Sequence, residues 1–240
     1  MTLEEVYLRG AEDSIFFSET FFPQTVGMRS PPFHQNVWDD LESDNRLVNL
    51  LVFRGGAKTS VARLFTAKRM AYSLSQTIFY VSKSGDHAVR SSLWLRNAVE
   101  HNKKFANTYN LSVGSKWTDT EFEVIQTLPD PEDPKKSIKH SIWLVFAGIL
   151  GNVRGVNLND RRPDLIVLDD ILDDANALTQ DQRVKIENLV YGALLESLAP
   201  ATENPLAKMV SLNTIQDAED YAVKAISNDE WFSRVYGCWT

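Results

Sequence analysis

Two short stretches of this sequence gather residue types that handle phosphate. The first is Phe53-Arg54-Gly55-Gly56-Ala57-Lys58-Thr59-Ser60. Adjacent glycines let backbone N–H groups turn inward as an anion nest, and a helix start behind them adds partial positive charge. A lysine at the end of such a loop reaches the β- and γ-phosphates of a nucleotide, and the hydroxyl after it, Thr59, ligates Mg²⁺. The second stretch is Arg162-Pro163-Asp164-Leu165-Ile166-Val167-Leu168-Asp169-Asp170. Its apolar run carries the backbone to the carboxyl edge of a sheet, where ligands bind in open α/β folds. Asp169 then belongs to the Mg²⁺ shell, and Asp170 lies near the γ-phosphate to orient or deprotonate water.

Each stretch has a plainer reading. The loop departs from the GxxxxGK pattern, with Val52 at the first glycine and Ala57 before Lys58. A Gly-Gly-x-Lys-Thr string also fits an ordinary turn. The aspartates, followed by Asp173 and Asp174, also fit a strand ending in a solvated acidic loop. Their occurrence in order, each behind a buried-strand pattern, favours nucleotide binding.

The elements that must position these residues alternate along the chain. Apolar runs predict buried strands at residues 46–53, 77–82, 165–168 and 208–212, with a last strand at 231–236. Helical patterns follow at 34–41, from the loop through Leu74, and at 86–101, 179–196 and 217–227. Residues 117–128 alternate as an exposed strand that pairs with 141–149 across the solvated turn at 129–134. This order predicts an α/β fold with a largely parallel central sheet flanked by helices. Residues 1–30 read as a lead-in whose Phe16, Phe17, Phe21 and Phe22 pack on the body formed by 31–240.

With these residues in place, nearly the whole chain resembles the ATPase (DNA-packaging motor) domain of tailed-bacteriophage terminase large subunits, a P-loop NTPase fold of the ASCE type. That family commonly places an arginine four residues before the loop lysine, as Arg54 stands before Lys58. Pro32-Phe33-His34-Gln35 is similar to its adenine-recognising glutamine motif, and Gly151-Asn152-Val153-Arg154-Gly155 to its Arg-Gly element. Val210-Ser211-Leu212-Asn213-Thr214 followed by Asp217 resembles its coupling motif. The resemblance implies ATP and Mg²⁺ as ligands. ATP binding falls to Gln35 and the loop Arg54, Gly55, Gly56, Ala57, Lys58, Thr59 and Ser60, and metal binding to Thr59 and Asp169. It implies catalytic roles for Arg54, Lys58, Asp170, Arg154 (a finger offered to a neighbouring subunit) and Thr214 (a sensor of the γ-phosphate). The partners it implies are double-stranded DNA, a portal protein, a terminase small subunit and further copies in a ring on the procapsid, in the host cell cytoplasm. Asp170 stands where standard motors have Glu, so the shorter reach leaves Asp173 and Asp174 as rival bases. A helicase-type translocase and a nucleotide-binding module disabled at Val52, Ala57 and Asp170 are the alternative readings.

Composition bounds these readings. With 43% hydrophobic residues over 240 positions, the chain can bury one sizeable core. A formal net charge of −7 predicts weak DNA binding by this domain alone. The single cysteine, Cys238, excludes an internal disulfide, and the four histidines lack metal-ligand spacing. No run is long and apolar enough for a membrane span, and no basic n-region precedes an apolar stretch. The run Lys135, Lys136, Lys139 and His140 is a solvated loop by default, with DNA-backbone contact as its alternative reading. Terminases of this type carry a nuclease after the motor, and the clustered carboxylates that it needs are not in these residues. The expectation is an excised ATPase domain with little nuclease activity.

Overall fold

A computed structural model describes residues 1–27, 30–133, 135–153, 161–173 and 179–238. Four apolar runs become the centre of the sheet: β1 (Leu47–Val52), β2 (Thr77–Ser82), β6 (Leu165–Asp169) and β7 (Lys208–Asn213), every residue of them buried. Continuous burial is what a parallel strand covered on both faces requires. Between β2 and β6 lie β3 (Leu111–Trp117), β4 (Glu121–Pro129) and β5 (Ser137–Gly148), and β8 (Phe232–Tyr236) ends the set. The strands form one sheet in the order β3-β4-β5-β2-β6-β7-β1-β8. From β5 to β8 all pairings are parallel, and β3 and β4 attach antiparallel at one edge. The fold is α/β with a largely parallel sheet between helical layers, of the P-loop type.

Alternate side chains of the central strands feed two cores. Val48, Leu50, Val52, Ile78, Tyr80, Val167 and Leu212 face one, while Leu51, Phe79, Val81, Ile166, Leu168 and Met209 face the other. On the first face lie α4 (Pro32–Glu42), α5 (Lys58–Ala71), α6 (Gly85–Glu100) and α7 (Lys103–Thr108). On the second lie α8 (Gln180–Leu189), the π-helical turn Val190–Leu195 that continues it, and α9 (Tyr221–Lys224). The first twenty-seven residues form α1 (Leu3–Glu12), α2 (Ser14–Phe21) and α3 (Pro23–Val26). Phe17, Phe21 and Phe22 are buried against Phe105, and Lys68 of α5 ties this segment down through the Ala11 carbonyl at 2.9 Å and through Glu42 of α4 at 2.6 Å, which accepts from the Ser14 hydroxyl at 2.7 Å.

Three elements differ from the sequence reading. The strand expected to be exposed, 117–128, becomes the interior strand β4, exposed only at Pro129, because β3 pairs outside it; Leu111–Trp117 is itself mostly exposed and lacks the alternation that announces a half-buried strand. The helix expected over 217–227 shrinks to α9 and a 3₁₀ turn, Ala225–Ser227. Asp220 Oδ2 accepts from the backbone N–H groups of Gln216 (2.9 Å) and Asp217 (2.8 Å), which holds the preceding residues in a loop. The helix expected through 196 passes into the π turn at Val190.

Candidate active site

The turn between β1 and α5 is built from three backbone conformations. Gly55 sits at φ +90°, where an L side chain is strained. Gly56 is packed so closely that a Cβ would lie 2.5 Å from Val52 Cγ1. Ala57 adopts the left-handed conformation, φ 60° and ψ 25°, at a cost of roughly 1–2 kcal/mol. No side chain caps α5, so its first-turn N–H groups are available to an anion in the space before them.

That space is a cavity of about 550 Å³ at the carboxyl edge of the sheet. From the loop, Arg54, Gly55, Ala57, Lys58, Thr59 and Ser60 line it; Asp170 and Thr214 line it from the ends of β6 and β7. Gly56 lies beneath the loop and is buried. Strand β7 runs between β1 and β6, so the loop and the acidic pair face each other across the end of an intervening strand.

Lys58 is 7% exposed, with Nζ 3.8 Å from Asp170 Oδ1. Burial lowers its pKa, and the nearby charges of Asp170 and Asp169 offset part of that fall. Asp169, 4% exposed, accepts the Thr59 hydroxyl at 2.9 Å on Oδ1 and the Tyr80 hydroxyl at 2.8 Å on Oδ2. Burial pushes its carboxyl up to about 6 against the lowering effect of both hydrogen bonds. Asp170 has a positive φ of 49°. Its N–H donates to the Leu212 carbonyl (2.9 Å) and its Oδ1 accepts from the Thr214 N–H (3.2 Å), so its side chain is fixed to the end of β7. Asn213, fully buried, accepts from the Ile171 N–H at 2.9 Å and donates to Ser211 and Tyr221, which braces the same junction.

The other sequence candidates fare differently. Gln35 is exposed on α4 and donates to Asp39 Oδ1 at 2.8 Å; it lines neither cavity at the loop. Its neighbours Phe33 and His34 instead line a second, largely apolar cavity of about 410 Å³ that adjoins the first at Gly55, Ala57 and Ser60. A ring nitrogen of His34 stands 3.4 Å from the Gly56 carbonyl, and burial lowers its pKa. Arg154 and Asp174 lie outside the described residues. Sequence reasoning missed Tyr80, Gln216 and Lys83, and gave Asn213, quoted within the coupling motif, no role of its own. The available signal for Lys83 was a charged residue one step past a buried strand, the same position that singles out Asp170.

A scan against protein-family models and a search of curated proteins both found no match to this sequence. Solved structures do match. One is the large terminase ATPase domain of Thermus phage P74-26 in an arginine-to-alanine variant, with a TM-score of 0.60 at 12% identity over 91% of this chain and 85% of that one. Another structure of the same phage domain gives a TM-score of 0.57 at 13% identity over the same shares. The likeness is one of fold: this chain is built as a phage large-terminase ATPase domain is built.

Proposed function

We propose that this chain is the ATPase domain of a terminase large subunit, hydrolysing ATP to drive double-stranded DNA into a procapsid. The observation that carries the reading is the meeting of Lys58, Thr59 and Asp170 at one cavity on the carboxyl edge of a sheet with this fold, with buried Asp169 bonded to Thr59 behind the cavity wall.

The residues suit Mg²⁺. The donors are a hydroxyl and a buried carboxylate, all oxygen, and Mg²⁺ takes one or two such ligands with phosphates and water. Ser82, opposite Asp169 in the β2–β6 register, is 1% exposed with an unpartnered hydroxyl, so the carboxylate has polar company on its own face of the sheet. Thr59 and Asp169 would hold the ion, which when bound neutralises charge on the phosphate oxygens.

In this reading Lys58 and the loop N–H groups hold the phosphates. Asp170 accepts a proton from water as the water oxygen bonds to the γ-phosphorus and ADP leaves. Its bond to the Thr214 N–H couples that step to the end of β7. Arg54 supplies further positive charge on the cavity wall. The adjoining apolar cavity suits the adenine, and Gln35 reaches it only by exchanging its bond to Asp39. Arg154 would serve a neighbouring copy in a ring. Portal protein and terminase small subunit complete the proposed partners, in the host cell cytoplasm. No described helix is long and apolar enough to cross a membrane.

Steady-state ATP hydrolysis with Mg²⁺ tests the proposal, with Lys58→Ala and Asp170→Asn alongside. Turnover in the parent with loss in both variants supports it. Failure of the parent to bind Mg-ATP overturns the phosphate-loop assignment itself.

A further inference from the structure

Lys83 is the one cavity-lining cation outside the loop among the described residues, and the terminase reading gives it no task. Its position is well determined. Strands β2 and β6 run parallel with Ser82 opposite Asp169, so Lys83 leaves the sheet edge where Asp170 does. The Ser82 carbonyl accepts from the Ile149 N–H at 2.8 Å, which pins the end of β2 to the end of β5. The next turn lies directly on β5, because a Cβ at Gly148 would stand 2.6 Å from the Gly85 nitrogen and 2.7 Å from the Ser84 carbonyl carbon. Ser84 then caps α6, accepting from the His87 N–H. The long side chain of Lys83 therefore swings from a rigid base.

Its partner is Asp173, with Nζ 3.9 Å from Oδ2 and both side chains close to one-third exposed (29% and 31%). The pair resembles Lys58 and Asp170, 3.8 Å apart on the same wall. Neither reaches the 2.7–2.9 Å typical of a charge-assisted N–H···O bond. A partly exposed pair at such a distance contributes little to stability, so it gives way readily to a more highly charged partner. The cavity wall carries three cations, Arg54, Lys58 and Lys83, against Asp170 and Asp173. That surplus suits a ligand with more negative charge than a diphosphate held by the loop alone.

We infer that Lys83 is a direct contact to the terminal phosphate of a nucleoside triphosphate, given up by Asp173 when that phosphate is present, and that it makes the site discriminate triphosphate from diphosphate. This rests on the phosphate-loop reading above. With triphosphate present, Lys83 exchanges Asp173 for the γ-phosphate oxygens; with diphosphate it stays with Asp173.

Calorimetric titration of the 240-residue chain with Mg-ADP and with the non-hydrolysable Mg-β,γ-imido-ATP tests this. Lys83→Ala is expected to weaken the triphosphate analogue about tenfold and to change ADP affinity less than about twofold. Lys83→Arg keeps the charge and should retain most of the discrimination, and Asp173→Asn should leave triphosphate affinity undiminished. Equal effects of Lys83→Ala on both nucleotides, or none on either, overturn the inference. So does an Asp173→Asn variant that reproduces the Lys83→Ala loss, because the ion pair would then be acting structurally. Lys58→Ala separates the two levels. If it loses both nucleotides while Lys83→Ala is unselective, only this inference fails; if it binds both as the parent does, the phosphate-loop reading fails with it.

Discussion

Thr59 donates its hydroxyl hydrogen to Asp169 Oδ1 at 2.9 Å, joining the start of α5 to the end of β6 across 110 residues of sequence. The carboxylate that receives it is buried, and burial holds its pKa near 6, above its ordinary value of 3.8. Between those values the folded protein keeps a proton that the unfolded chain has released. Asp169 therefore costs stability as pH rises from about 4 through 6, by an amount on the order of 2–3 kcal/mol. Asp169→Asn removes that dependence. Without nucleotide or metal, the melting temperature of the parent minus that of the variant should fall across this window and level off above it. A difference that stays constant from pH 4 to 7.5 would remove the argument.

Ala57 gives a second, independent check. Its left-handed backbone is what the loop demands, and its Cβ is the obstacle. Ala57→Gly removes the strain while returning some freedom to the unfolded chain, for a net gain of about 1 kcal/mol. The melting temperature should rise by roughly 2–4 °C with Mg-ATP affinity retained. A lower melting temperature would show that the methyl group is held by packing that outweighs its backbone cost.

How far this site was legible depends on what each residue's role leaves in the sequence. Strand β2 could be read to the residue, and β1, β6 and β7 to within one, because continuous apolar runs bounded by polar residues have few other uses in a chain of this composition. Strand β3 left no trace, since Ser112, Val113, Ser115 and Lys116 are exposed and the strand shows no alternation of apolar and polar faces. Lys58, Thr59, Asp169 and Asp170 could be found because each directly follows a legible strand or loop. The orientation of Gln35 could not, because it depends on whether a helix surface offers a nearer partner, and Asp39 one turn on does. Lys83 was legible in principle, as a charge at a strand end, but it belongs to no short motif.

Asn213 tests the junction between β6 and β7. Its side chain is fully buried and satisfies the Ile171 N–H, while its amide nitrogen reaches Ser211 and Tyr221. Asn213→Ala removes its bonds to the Ile171 N–H, Ser211 and Tyr221 from a fully buried site, a loss of about 2–4 kcal/mol. The melting temperature should fall by roughly 5–10 °C. Because the same junction sets Asp170 against Thr214, ATP turnover measured well below the new melting temperature should fall more than Mg-ATP affinity does. Equal losses in both would make Asn213 a support for the whole cavity and not for the Asp170 side of it.

Gly55 and Gly56 are neighbours that resist substitution for different reasons, and a rescue experiment separates them. At Gly56 the obstacle is space: a Cβ would lie 2.5 Å from Val52 Cγ1 and 3.1 Å from the Phe53 carbonyl. At Gly55 no atom lies within 4 Å of an added Cβ, and the obstacle is the backbone at φ +90°. Alanine at either position should weaken Mg-ATP binding by about tenfold or more, because the loop N–H groups lose their alignment. Val52→Ala deletes the atom that blocks Gly56 and leaves the Gly55 conformation untouched. Combined with Gly56→Ala it should recover most of the lost affinity, with the Phe53 carbonyl yielding a few tenths of an ångström. Combined with Gly55→Ala it should recover none. Rescue of both would mean that Val52 controls the loop by a route other than the contact with Gly56, and rescue of neither would place the critical clash at the Phe53 carbonyl.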